Sequence, residues 1–234
     1  MNKDPYVYDD TNVLKNLANI KEQTKLDDYE TTMVNLGIIK LLKSDIEIGQ
    51  VNDIFLIHKI LFENVYAWAG EKRVINIYKT EPILKGLSVT YSDYKKIDLD
   101  LNKIQNDITN IKWETLSKNE MINRIVKIIS SIWQVHSFRE GNTRVVTLFL
   151  YFFLKKLGFK VNREFIDRHA KYFRNALVLA CIGEYSEYNY LEEILKDSIN
   201  FKIVDGDLNI KYQTIKGYNL DKYEYNYHSS KKED

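Results

Sequence analysis

The chain has 234 residues, enough for a sizeable core, and its 34 basic and 33 acidic residues leave a net charge of +1. That balance supplies no electrostatic drive toward nucleic acid or an anionic membrane surface, so neither is expected as a partner. A single cysteine, Cys181, excludes an internal disulfide and fits a reducing compartment. The opening MNKDPYVYDD has no apolar leader core, and no stretch runs to about eighteen apolar residues without a charge. A cytoplasmic protein is the expectation, with delivery into another cell by a machinery that needs no cleavable leader left open.

With 9 glycines and 2 prolines the chain has few breakers, which favours helices. From Thr24 to Leu42, Leu26, Tyr29, Met33, Leu36 and Ile39 recur at steps of three and four, with Gly37 tolerated inside the pattern. VNDIFLIHKILFENVY follows, with Ile54, Ile57, Leu61 and Val65 on one face and Asn52 or Asp53 as its cap. Residues 73–91, RVINIYKTEPILKGLSVTY, break the helical period. Val74, Asn76 and Tyr78 alternate with Ile75 and Ile77 ahead of Pro82 and Gly86, and this pattern predicts a short β-hairpin. Helical spacing then returns over Tyr94 to Ile111, Asn119 to Val135, Arg144 to Leu157, Glu164 to Cys181 and Tyr188 to Ile199. Beyond Phe201, FKIVDGDLNI is a candidate hairpin around Asp205-Gly206. The expected fold is mainly α, a bundle over 1–200 with one projecting hairpin and a C-terminal extension over 201–234.

Between the apolar runs MINRIVKIISSIWQV and VVTLFLYFFLKKLGF lies HSFREGNTR, residues 136–144. A helix ends before this loop and another begins at Asn142 to Arg144. The first N–H groups of that second helix lack intrahelical partners and carry partial positive charge, which makes an anion site suited to phosphate. Gly141 permits close approach of the backbone, Asn142 can cap or donate, and Arg144 brings a planar donor fork. A phosphate chain brings Mg²⁺, which takes a carboxylate together with phosphate oxygens, and Glu140 is placed to supply it. His136 has the ordinary pKa for removing a proton from a hydroxyl, and Phe138 would pin the loop to the core. Each residue alone has a bland alternative, such as a helix cap or a solvated ion pair. Together, between two buried helices, so much polarity argues for a site. His58, His169 and His228 stand isolated and are read as structural or exposed.

The loop resembles the HxFx(D/E)GNGRxxR signature of Fic-domain proteins. YVYDDTNVLKNLANI resembles the YxYxxTNVLKN start of that family, and IHKILFENVYAWAGEKRVINI its segment leading into a flap hairpin. YFRNALVLACIGEYSEYNYLEEIL resembles its late helices, so the likeness runs from Tyr6 to Leu195. The resemblance implies an all-α Fic bundle and transfer of AMP from ATP to a Ser, Thr or Tyr hydroxyl of a protein target, with Mg²⁺. It implies that His136 is the base and that Glu140 is the metal ligand. Gly141, Asn142 and the amide of Thr143 would then cradle the α-phosphate while Arg144 holds the β/γ side. The flap over 73–91, with Asn76, Ile77, Tyr78 and Lys79, would receive the target by strand pairing.

Three departures from the family pattern stand out. Thr143 replaces the second glycine of GNG, where a β-branched residue narrows the space for phosphate. Thr147 replaces the second arginine, which in the family engages the γ-phosphate or pairs with an inhibitory glutamate. IKYQTIKGY, residues 210–218, resembles the inhibitory segment, yet Lys216 holds the glutamate's place and Tyr212 the Ser/Thr place. ETTMVNLG, residues 30–37, does not supply the motif either, because Asn35 and Leu36 stand where Glu and Gly/Asn belong. The expectation is an adenylyltransferase without glutamate-type self-inhibition. The alternatives are a catalytically weak Fic-fold binding module and a transferase using another nucleotide or phosphate-containing donor. An antitoxin-like inhibitor and homo-oligomerisation stay open.

Overall fold

A computed structural model describes residues 4–200, 218–221 and 223–225. Eight α-helices run in order among the described residues: α1 (Gln23–Leu42), α2 (Asp53–Phe62), α3 (Ile97–Thr109), α4 (Lys118–Val135), α5 (Asn142–Lys156), α6 (Arg163–Arg168), α7 (Ala170–Leu179) and α8 (Asn189–Asn200). The chain divides into two units. One comprises the described residues of Met1–Ile77 and Tyr91–Lys160, and the other those of Tyr78–Thr90 and Val161–Asp234.

In the first unit α2 packs on α1 and α5, and α4 packs on α3 and α5. Gly37 is what lets α1 approach α2: a Cβ there would sit 2.6 Å from the Ile60 carbonyl oxygen and 2.8 Å from Leu61 Cα. The helix accepts about 1 kcal/mol of poor propensity at that position in return for backbone-to-backbone contact. At the start of α2 the N-cap is Asn52, whose side chain makes no capping bond; Asp53, the first helical residue, instead accepts from the Gly49 and Gln50 amides of the preceding turn at 2.7 Å each. α4 opens with a reciprocal capping box between Ser117 and Glu120 and buries Ile122, Ile125, Val126, Ile129, Ile132 and Trp133 along one face.

In the second unit α6, α7 and α8 pack on one another. The single helix expected over Glu164 to Cys181 is interrupted at His169, whose backbone (φ −108°, ψ 27°) leaves the helical region between α6 and α7. The His169 ring packs against Phe165 and Tyr218 there, with centroids 4.9 and 4.7 Å away. Cys181 is buried, and burial pushes its thiol well above the ordinary range, which leaves it a small apolar residue rather than a nucleophile.

The hairpin expected over 73–91 does not form. No strand occurs among the described residues, whose β pairing is one isolated bridge between Val7 and Leu14. Side chains take the place of a ladder. In the first unit the Arg73 guanidinium joins the carbonyls of Ile75 and Ser92, and the Asn76 side chain accepts from the Tyr94 amide at 2.9 Å and donates to Asp93 at 3.1 Å. In the second unit Pro82–Leu84 forms a turn of 3₁₀ helix that ends with Lys85 in the left-handed region and Gly86 at φ 91°. The fully buried carboxylate of Glu81 takes both arms of Arg174, at 2.7 and 3.0 Å. The candidate hairpin at FKIVDGDLNI, together with Tyr212 and Lys216, lies outside the described residues.

Candidate active site

The loop between α4 and α5 is built by two left-handed residues. His136 closes α4 at φ 52°, ψ 56°, and its N–H donates to the Trp133 carbonyl. Gly141 opens α5 at φ 84°, ψ 0°. The glycine is required twice over, because a Cβ there would meet the Phe62 ring at 2.4 Å as well as straining the backbone. Thr143, by contrast, is already inside α5 with helical geometry, so the second family glycine answers no conformational need here.

The loop is braced from within and from below. Asn142 is buried, and its side chain accepts from the Phe138 amide at 3.0 Å and donates to the Phe138 carbonyl at 2.8 Å. What Asn142 offers a ligand is therefore its backbone N–H at the helix start. Phe138 is buried, stacks on His58 with centroids 3.9 Å apart and meets Phe55 edge-on at 5.4 Å. His58 accepts from the Gly70 amide at its Nδ1 (2.8 Å), so its Nε2–H donates to the Glu140 carbonyl at 3.2 Å. Burial pushes its pKa down to about 3, and it stays neutral in this role. Arg139 is clamped by Asp4 at 2.8 Å.

His136 is buried, and its Nδ1 lies 3.2 Å from the Trp133 carbonyl. A carbonyl can only accept, so Nδ1 carries the proton and Nε2 has the basic lone pair. Tyr91 stacks on the imidazole with centroids 4.0 Å apart, and Trp133 meets it edge-on. Arg73, itself buried, donates from Nε to the His136 carbonyl at 2.7 Å, and its amide donates to the Ser137 carbonyl at 2.8 Å. The adjacent Ser137 Oγ is buried with no hydrogen-bond partner.

The cationic end of the site is equally fixed. Arg144 lies over the Phe62 ring at 4.9 Å, donates from Nη2 to Glu30 at 2.5 Å and stands 3.8 Å from Glu140. Tyr66 donates its hydroxyl to the other Glu30 oxygen. Burial and then the Glu30 carboxylate push that phenol far up, so it remains a donor. Glu140 accepts from the Gly141 amide at 2.9 Å and its side chain is about one-third exposed. That single, accessible oxygen donor suits Mg²⁺ shared with phosphate oxygens; among the described residues no group of three metal-ligating side chains forms a complete cage. Thr143 accepts from the Trp133 indole at 3.0 Å, and Thr147 donates to the Thr143 carbonyl at 2.8 Å, which keeps its hydroxyl on its own helix.

Thus His136, Phe138, Glu140, Gly141, Asn142, Thr143 and Arg144 share one loop and helix start. Asn76 and Ile77 stand in the first unit, near the Arg73 anchor in sequence, while Tyr78 and Lys79 belong to the second. Sequence reasoning missed Glu30, Tyr66, Arg73 and Tyr91 as parts of the site, and read His58 as structural or exposed, of which the structure shows the structural role. Tyr66 and Arg73 lie within the quoted stretch IHKILFENVYAWAGEKRVINI, so the signal was present without an assignment. Glu30 carries no local signal, since its partner is 114 residues away.

Comparison with known proteins supplies the context. The sequence model of the Fic/DOC family matches residues 49–154. A probable protein adenylyltransferase, y4lH of Sinorhizobium fredii, is 27% identical over 187 residues, covering 78% of this chain and 90% of that protein. The protein adenylyltransferase VbhT of Bartonella schoenbuchensis is 27% identical over 168 residues, which span 70% of this chain and 34% of VbhT. Among solved structures, the N-terminal Fic domain of Bep8 from Bartonella sp. 1-1C superposes with a TM-score of 0.70 at 20% identity, over 86% of this chain and 97% of that domain.

Proposed function

We propose that the chain, which matches the Fic/DOC family model over residues 49–154, is a protein adenylyltransferase, transferring AMP from ATP to a hydroxyl side chain of a protein target. The observation that carries the reading is the pairing, on one short loop, of a His136 with its basic nitrogen defined by the Trp133 carbonyl and a helix start flanked by Arg144. Curated relatives over most of the chain bear the name of that activity.

In this reading the target hydroxyl gives its proton to His136 Nε2 as its oxygen bonds to the α-phosphorus. The bond from that phosphorus to the bridging oxygen breaks, and pyrophosphate leaves. Tyr91 and Trp133 hold the imidazole and keep bulk water off it, while Arg73 fixes its backbone. The amides at the start of α5 hold the α-phosphate, and Arg144 holds the β/γ side. Glu140 would hold Mg²⁺ together with the phosphates, and the ion would neutralise charge on the leaving group. Asn76 and Ile77, next to the Arg73 anchor in sequence, would present the target's hydroxyl to this site. With Thr147 uncharged and turned onto its own helix, the arginine–glutamate lock of the family lacks its arginine, and the 234-residue chain is active without trimming.

The test is incubation with α-labelled ATP and Mg²⁺ against lysate proteins, with GTP, CTP and UTP in parallel. Label on protein that is lost in His136→Asn supports the reading. Equal labelling with and without the histidine sinks it, and a preference for another base moves the chain to another nucleotide.

A further inference from the structure

The site contains a carboxylate that the reaction does not consume. Glu30 sits in the middle of α1, its side chain 13% exposed, and both of its oxygens are engaged, one by Arg144 and one by Tyr66. Arg144 is gripped on two sides, by Phe62 under its plane and by Glu30 at one terminal nitrogen. A guanidinium carries five N–H groups, and this contact uses only the Nη2 end, so the fork keeps donors for a phosphate.

A carboxylate beside a phosphate-binding arginine could hold it in place or compete for it. Competition needs a carboxylate that can withdraw. Glu30 belongs to a 20-residue helix seated on α2 through Gly37, with no room for even a methyl group between the backbones. Its backbone cannot move away without unpacking α1 from α2, and its carboxylate is held at both oxygens, by Arg144 and by Tyr66. We propose that Glu30 is a positioning residue: with Tyr66 as its own brace, it sets the orientation of the Arg144 fork so that the arginine meets the β/γ-phosphates already ordered. The inference rests on the reading of Arg144 as a phosphate clamp. The gain is preorganisation, since an arginine side chain otherwise loses rotamer freedom when the nucleotide binds.

Three single variants of the chain, Glu30→Gln, Tyr66→Phe and Arg144→Ala, and one double variant separate the possibilities. Mg²⁺–ATP affinity is measured by calorimetry, and KM and kcat by labelling with α-labelled ATP. Glu30→Gln keeps shape and removes charge. It is expected to raise the dissociation constant and KM for ATP about tenfold with kcat within a factor of two or three, and Tyr66→Phe to follow in the same direction by less. Glu30→Gln combined with Arg144→Ala should be no worse than Arg144→Ala alone. In the nucleotide-free protein, nitrogen-15 NMR should show the Arg144 Nη signals sharp and resolved, and averaged in Glu30→Gln, a signature that a purely structural role would not give. If Arg144→Ala leaves ATP affinity intact, the clamp reading fails and the inference with it. If Arg144→Ala loses affinity but Glu30→Gln does not, the clamp stands and the positioning role is overturned. Faster labelling or tighter ATP binding in Glu30→Gln would also overturn it and make Glu30 a competitor. So would Arg144 signals that are equally averaged in wild type and variant.

Discussion

The Trp133 indole nitrogen donates to Thr143 Oγ1 at 3.0 Å, tying the last turn of α4 to the first turn of α5 across the histidine loop. The threonine that departs from the family glycine therefore has its own use. Thr143→Ser should keep stability near wild type. Thr143→Val leaves the indole N–H of the buried Trp133 without its acceptor and should cost about 1–2 kcal/mol, read from the urea midpoint. A valine variant as stable as the parent would show that the hydrogen bond contributes nothing.

His136 occupies a left-handed backbone position, so the choice of replacement matters. Asparagine tolerates that region and cannot serve as a base near neutral pH. His136→Asn should melt close to wild type, bind Mg²⁺–ATP, and transfer label about 10²–10⁴-fold more slowly. Transfer at the parental rate would remove His136 from the chemistry.

Glu140→Ala should weaken nucleotide binding in the presence of Mg²⁺ more than in its absence, because in the proposed reading the carboxylate's partner is the ion. Calorimetry with Mg²⁺ and with a chelator makes the comparison. Equal losses under both conditions would assign Glu140 to shaping the loop through its bond to the Gly141 amide instead.

His58 gives the fold a pH dependence with a defined sign. Its folded pKa of about 3 lies below the ordinary 6.5, so between those values the unfolded chain takes up a proton that the folded chain refuses. The contribution is complete above about pH 6.5 and is lost as pH falls toward 3. At 1.36 kcal/mol per unit, stability at pH 5 should be about 2 kcal/mol lower than at pH 7 from this group alone. His58→Gln, which can still donate and accept, should flatten that part of the profile. Denaturant midpoints at the two pH values decide, and parallel profiles would reject the assignment.

Arg73 is a buried cation satisfied by backbone carbonyls, with its Nε bond to His136 and others to Ile75 and Ser92. Arg73→Leu strands those oxygens and should cost roughly 3 kcal/mol or more, with slower labelling at temperatures where the protein is still folded. A loss of stability with unchanged labelling would separate the anchor from the chemistry.

Much of this was legible from residue spacing. The apolar steps at three and four residues place α1, α2, α4 and α5 within a few positions, and the polar nonapeptide between two buried helices marks the loop. Residues 73–91 misled for a physical reason. Alternation records which side chains are apolar, whereas here the backbone polar groups are met by Arg73 and Asn76, and no partner strand is needed. The break at His169 has neither glycine nor proline to announce it and depends on aromatic packing that only the fold assembles. Glu30 and Arg144 meet across 114 residues, and no local pattern encodes such a meeting.

Arg73 also limits how the protein could be re-targeted. One guanidinium fastens both edges of the segment that begins at Val74 and the carbonyl of the residue placed as the base. A loop transplanted from a relative would have to bring an arginine with the same reach, or the graft would loosen the histidine along with the loop it replaces. Changes that preserve both the Arg73 and Ser92 ends leave the His136 backbone untouched. The practical seam for exchanging this segment therefore lies inside those two residues, and any wider cut also loosens the backbone of His136.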